Sequence, residues 1–150
     1  MSGTPDSDVP YLLDTNVLSE LRKGLRGDKS VRAWASHVKS ERHYVSVLSL
    51  GEIRKGIERL RRTAPDRCEV LEEWLERLTV DYAGDILDVT NAIADRWGRL
   101  EAGRTRPVID GLLAATALEC GLIIATRNTK DFAGTGVKLV NPFAWELGTA

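Results

Sequence analysis

The stretch Pro107-Val-Ile-Asp-Gly-Leu-Leu-Ala-Ala-Thr-Ala-Leu-Glu-Cys120, followed by Gly121 and then Leu122-Ile-Ile-Ala-Thr126, decides the fold. Proline precedes a helix over Val108 to Cys120, and glycine supplies the left-handed stop at its end. The five residues after the glycine show no polar alternation, so they predict a strand covered on both faces, as central strands of parallel sheets are.

Working outward, the same alternation of strand and helix recurs. Downstream, Val137 to Val140 predicts a last strand. Upstream, Tyr11-Leu12-Leu13 reads as a first strand ending at Asp14, and Asn16 opens a helix over Val17 to Lys23. Ser30 is the expected cap of a second helix carrying Val31, Trp34, Ala35 and Val38, before the β-rich run Tyr44 to Val47. Ser49 is expected to start a helix with Ile53, Ile57 and Leu60 on one face. Pro65 starts another, with Val70, Leu71, Trp74, Leu75 and Leu78 at helical intervals, and the two should pack as a hairpin. That second stripe fits either core or a partner surface. Ile86 to Val89 predicts a third strand, and Thr90 caps a helix with Ile93, Ala94, Trp97 and Leu100, ended by Gly103. Such alternation indicates an α/β fold, a mostly parallel sheet flanked by helices on both sides.

A chain of 150 residues suits one domain, expected over 1–150 with a flexible polar leader at 1–9. Hydrophobic residues at 43% and charged residues at 29% exclude a disordered chain. The net charge of -1 excludes a protein that coats nucleic acid through an overall basic surface, so any such contact must be local. Arg54, Lys55, Arg59, Arg61 and Arg62 form a basic run that fits either a solvated helix face or a contact surface. Cys68 and Cys120 lack CxxC spacing and are read as packing residues. The apolar run from Leu112 to Thr126 is shorter than the about 20 residues of a membrane span, and the first ten residues carry no secretory signal. A cytoplasmic protein without membrane contact is expected.

In open parallel sheets, ligands bind beyond the carboxyl ends of the strands. Asp14, Glu52, Asp110, Asn128 and Asp131 all fall at that edge. Singly, each has a structural reading. Asp14 or Asn16 can cap a helix, Ser49-Leu-Gly-Glu52 fits a capping box, Asp110 complements a helix dipole, and Asp131 suits a turn. Together, carboxylates at one edge repel and need protons or a cation, and a hard divalent ion such as Mg²⁺ or Mn²⁺ fits oxygen donors. His37 and His43 lack ligand-pair spacing, and GxxxxGK[ST], GxGxxG and GxSxG are absent. Nucleases and phosphatases remain, both of which move a phosphoryl group with carboxylates and Mg²⁺.

Four blocks carry a resemblance: Tyr11-Leu-Leu-Asp-Thr-Asn-Val-Leu-Ser-Glu20, Ser46-Val-Leu-Ser-Leu-Gly-Glu-Ile-Arg-Lys-Gly56, Ile109-Asp-Gly-Leu-Leu-Ala-Ala-Thr-Ala117 and Ile124-Ala-Thr-Arg-Asn-Thr-Lys-Asp-Phe132. In this order, from about Tyr11 to Pro142, they resemble the PIN-domain toxins of the VapC and FitB kind. The resemblance implies a PIN-like α/β/α sandwich and a toxin of a type II toxin–antitoxin system. It further implies a metal-dependent endoribonuclease cutting single-stranded or loop RNA, a homodimer, and inhibition by a small cognate antitoxin in a toxin–antitoxin hetero-oligomer. Asp14, Glu52 and Asp110 match the family's metal-site acids, with Thr15 and Asn16 in support. The fourth position departs, because Asn128 stands where relatives often carry an acid, and Asp131 is the nearest carboxylate. Asp131 is favoured because it supplies charge, with Asn128 as the other candidate ligand.

On this reading Asp14, Glu52, Asp110 and Asp131 act in catalysis, Thr126 supports them, and Arg127 and Lys130 contact RNA phosphates. Water activated by the metal is the nucleophile. Two rivals are an aspartyl-phosphate phosphatase, for which Asn16 stands where a second Asp is needed, and a noncatalytic PIN-fold module that binds RNA or protein.

Overall fold

The structure, a computed structural model, describes residues 9–38 and 42–147. Five strands form its centre: β1 (Tyr11–Leu13), β2 (His43–Ser46), β3 (Ile86–Leu87), β4 (Ile123–Ala125) and β5 (Leu139–Val140). They lie in the order β3-β2-β1-β4-β5, and every pairing is parallel. Six helices connect them: α1 (Thr15–Leu21), α2 (Lys29–His37), α3 (Val47–Leu60), α4 (Pro65–Asp81), α5 (Asn91–Glu101) and α6 (Val108–Cys120). Strand order reverses at β1, with β2 on one side and β4 on the other, which opens a crevice at their carboxyl ends. The leader expected at 1–9 lies outside the described residues except for Val9, which packs on the core.

The two faces of the sheet bury different side chains, as strand geometry dictates. Tyr11, Leu13, Val45, Ile123 and Ala125 face one core with α1 to α4, while Leu12 and Ile124 face the other with α6. Trp34 is fully buried in the first core, meeting Tyr11 edge-on at 5.3 Å and stacking on His43 at 5.5 Å. His43 therefore serves as a packing ring, and His37 meets Trp145 at 5.1 Å. In α6, Ala114, Ala115 and Ala117 are buried, and their small side chains let the helix lie close to the sheet. Gly121 stops it at φ 69°.

Helices α3 and α4 do form the expected hairpin. The Cys68 thiol donates to the Ile57 carbonyl at 3.3 Å, and Trp74, Leu75 and Leu78 are buried, so this part of the α4 stripe is core. Val70 is exposed. Within the basic run, Arg54 and Arg61 pair with Glu58 and Glu72, which consumes part of its charge on the helix surface. Cys120 is exposed, contrary to its expected packing role, because it sits in the last turn of α6 where the helix leaves the sheet.

Three helix starts differ from expectation: α1 begins at Thr15 with Asp14 as its cap, which leaves Asn16 inside the helix, and α2 and α3 also begin earlier. The cap of α2 is Asp28, whose carboxylate accepts from Ser30 and Val31 N–H, so Ser30 lies inside the helix. The cap of α3 is Ser46, whose hydroxyl accepts from Leu48 N–H, so Ser49 is a buried interior residue. A carboxylate binds two backbone donors at once, and an earlier serine captures the end of a strand directly. Both outcompete the later candidates.

At Gly111, α6 meets α5 with no room for a side chain. A Cβ there would stand 2.9 Å from Glu101 Oε1 and 3.0 Å from Trp97 Cδ1. Gly111→Ala should destabilise the protein by about 1–3 kcal/mol, seen as a lower urea midpoint at unchanged slope. An unshifted midpoint would show that α5 yields freely.

Candidate active site

At the reversal of strand order, Asp14 follows β1 and Thr126 follows β4, and register brings them together: Leu13 pairs with Ala125, and Asp14 N–H donates to the Ala125 carbonyl at 3.0 Å. The Asp14 side chain is buried. Its Oδ1 accepts from Thr15 N–H at 2.8 Å, and its Oδ2 accepts from Thr126 Oγ1 at 2.8 Å and Asn16 Nδ2 at 3.3 Å. Asp14 thus caps α1 and is also tied to the neighbouring strand across 112 residues of sequence. Burial pushes its carboxyl above the usual range against these three donors, and the negative charge of Asp131 adds to the rise.

The hydrogen bonds extend outward from Asp14. Asn16 Oδ1 accepts from Arg127 N–H at 3.0 Å, and Thr126 Oγ1 accepts from Asn128 N–H at 3.0 Å, so the loop after β4 is fixed against the start of α1. Thr15 Oγ1 donates to Glu52 Oε1 at 2.8 Å. This contact settles what Glu52 does locally. The capping-box alternative fails because α3 begins at Val47, which puts Glu52 in the second turn, facing α1.

Asp110 lies in the first turn of α6, where the helix dipole favours its ionised form. Its pKa is nevertheless pushed up to about 6, first by desolvation and then by the charges of Asp131, Asp14 and Glu52, while Arg106 opposes the rise. Burial and like charge outweigh the dipole here. Four carboxylates from four separate segments therefore act on one another at this edge.

Asp131 lies in a short 3-10 turn, Thr129–Phe132, anchored by buried Phe132. The side chains of Asn128, Asp131, Arg127 and Lys130 are exposed. The Arg127 guanidinium lies over the Phe143 ring, 4.7 Å from its centroid. Arg106 is the residue the sequence reading missed. It donates from Nε to the Asp131 carbonyl at 2.9 Å, from Nη2 to the Ala133 carbonyl at 2.7 Å, and pairs through Nη1 with Glu101. No motif spacing announces it, because one partner closes the preceding helix and the other two lie in a turn 25 and 27 residues further on.

Among the described residues no three or more His, Cys, Asp or Glu side chains already enclose a point as a completed metal centre would. The donor chemistry still fits a hard cation that keeps much of its water, since the four acids are oxygen donors whose mutual repulsion a positive ion would relieve. A softer metal finds no cluster of cysteine and histidine side chains to hold it among the described residues.

An all-parallel five-stranded sheet covered on both faces, with carboxylates at its point of reversal, defines an α/β/α sandwich with an acidic edge. The PIN domain family model matches residues 11–138, and the chain belongs to that family. It is 33% identical over 141 residues to the VapC ribonuclease Y4jK of Sinorhizobium fredii, covering 90% of this chain and 97% of that one. It is 32% identical over 138 residues to the toxin FitB of Neisseria gonorrhoeae, covering 88% and 97%. The crystal structure of FitAcB from Neisseria gonorrhoeae superposes with a TM-score of 0.79 at 31% identity, over 89% of this chain and 99% of that one. No helix among the described residues is long and apolar enough to cross a membrane.

Proposed function

We propose that this chain is the ribonuclease toxin of a VapBC/FitAB-type toxin–antitoxin pair, an endoribonuclease that hydrolyses phosphodiester bonds of single-stranded or looped RNA with Mg²⁺ or Mn²⁺. The observation that carries this reading is Asp110, raised to about 6 beside three further carboxylates at a PIN-domain sheet edge. Among the described residues Arg106 opposes the negative charge of that cluster, yet the Asp110 pKa stays raised.

Asp14, Glu52, Asp110 and Asp131 are the residues that would hold the cation, with Asn128 as the alternative to Asp131. When bound, the metal lowers the pKa of water and neutralises charge on the phosphodiester. The protein's own part is orientation. Thr15, Asn16 and Thr126 point the Asp14 carboxylate, and Thr15 also holds one oxygen of Glu52. Arg127 and Lys130, exposed on the loop after β4, contact RNA phosphates. Asn16 argues against an aspartyl-phosphate phosphatase, since its amide cannot shuttle the proton that the second acid of such a site would carry. The partner is a small antitoxin with a basic side chain directed at the acids, acting on a homodimer, in a cytoplasmic setting.

A single experiment tests the reading: RNA of mixed sequence and p-nitrophenyl phosphate incubated with the purified chain and Mn²⁺. RNA should be cut while the monoester is untouched. Turnover of the monoester alone would reverse the assignment.

The fourth ligand follows from charge. Asp131→Asn should weaken Mn²⁺ binding about tenfold or more, whereas Asn128→Ala should leave it within about threefold, because a neutral amide attracts the ion less than a carboxylate does. Calorimetric titration of both variants reads this directly, and the reverse ranking would transfer the role to Asn128.

A further inference from the structure

We propose that Arg106, locked by Glu101, is a positioning residue that sets where Asp131 stands relative to Asp110. The inference rests on the metal reading above and adds a residue to it.

Asp131 has an exposed side chain on a turn of four residues, so nothing about its own packing fixes its carboxylate. Its backbone is what is held. Asp131 N–H donates to the Asn128 carbonyl at 3.0 Å, and its carbonyl receives Arg106 Nε at 2.9 Å. Arg106 Nη2 takes the Ala133 carbonyl two residues further on at 2.7 Å. One planar guanidinium therefore grips the turn at two points, and its third nitrogen, Nη1, is bound by Glu101 Oε1. The side chains of Arg106 and Glu101 are each only 10% exposed.

The other end of the device reaches Asp110. Glu101 closes α5, and its carboxylate lies against Gly111, the next residue after Asp110 in the first turn of α6. A side chain at 111 would displace it. The pair thus spans the gap between the turn carrying Asp131 and the helix start carrying Asp110, and Arg106 is close enough to lower the Asp110 pKa. Stability alone does not account for such a pair. Burying an ion pair is often neutral against apolar replacement, and here Glu101 Oε2 is left buried without a hydrogen-bond partner. What a fork with three committed nitrogens provides is geometry, which a lysine with one charged nitrogen cannot reproduce.

The test is Mn²⁺ titration of the full chain by calorimetry, in wild type, Arg106→Lys, Asp131→Asn and the double variant. Arg106→Lys and Asp131→Asn should each lower Mn²⁺ affinity about tenfold, in the range of losses seen when residues orienting metal ligands are replaced. The double variant should bind no more weakly than Asp131→Asn alone, because a residue acting through Asp131 has nothing left to position. A merely structural clamp would lower thermal stability and leave affinity unchanged, or would weaken binding further in the double variant, and either result overturns the proposal. So does wild-type affinity in Asp131→Asn. If Arg106→Lys does not fold, Glu101→Gln carries the same comparison, with a loss expected in the wild-type background and none in the Asp131→Asn background. Failure of wild type to bind Mn²⁺ overturns the metal reading itself, whereas binding by wild type with undiminished binding by Arg106→Lys overturns only the role of Arg106.

Discussion

Replacing Asp110 by Asn should yield a folded protein that is more stable than wild type at neutral pH and at least about 100-fold slower in cutting RNA. The activity loss follows from removing a proposed ligand, since replacing groups that only orient ligands already costs 10–100-fold. The stability gain follows from linkage. Asp110 is raised from the usual 3.8 to about 6 in the folded chain, so folding favours the protonated carboxyl. That contribution is fully present below pH 3.8 and is lost as pH rises through about 6, leaving an ionised group that costs stability at pH 7. The side chain is partly exposed and solvent screens it, so the gain in Asp110→Asn at pH 7.5 should be roughly 1 kcal/mol, about 2–4 °C in Tm. The advantage should shrink as pH falls from 6 and vanish near pH 4. Asp14→Asn should behave alike in activity, but its stability gain is offset by the Thr15, Asn16 and Thr126 donors, which bind a carboxylate better than an amide. Thermal melts from pH 4 to 8, run without divalent ions, check the profile, and an Asp110→Asn protein that cuts at the wild-type rate would sink the assignment.

Chelation is the second large effect. EDTA should abolish RNA cleavage completely, and Mn²⁺ at about 100 times its Kd should stabilise the wild type by about 2.7 kcal/mol, a shift of about 5–10 °C at this size. The shift should weaken below pH 6, because a cation must displace the proton that Asp110 retains there. Asp110→Asn should lose most of it. Cleavage that persists in chelator would reject metal dependence.

Much of the fold is legible in the sequence because its signals are local. Gly121 must adopt a left-handed conformation to end α6, and the uninterrupted run after it can only be a strand covered on both faces. Thr90 caps α5 as its spacing predicts. The starts of α2 and α3 were misplaced because several polar residues compete for one helix end, and the winner depends on where the preceding chain runs: Asp28 over Ser30, Ser46 over Ser49. The α4 stripe could not be assigned from its period alone, since a helix facing a core and a helix facing a partner share the same spacing.

For the site, the sequence by itself determined which residues are candidates for the chemistry. Asp14 follows a strand, Asp110 opens a helix, and the four motif blocks resemble one family. Only the tertiary structure decided what those residues do to one another. Glu52 leaves the capping-box role because Thr15, 37 positions away, donates to it. Asp110 is raised in spite of its helix dipole because three distant acids and desolvation outweigh a local field. Arg106 enters because a guanidinium can join three chain segments whose separation in sequence carries no periodic signal. Helix ends and strands are set by interactions within a few residues, whereas charge and desolvation act through space and exist only once the sheet has brought its edges together.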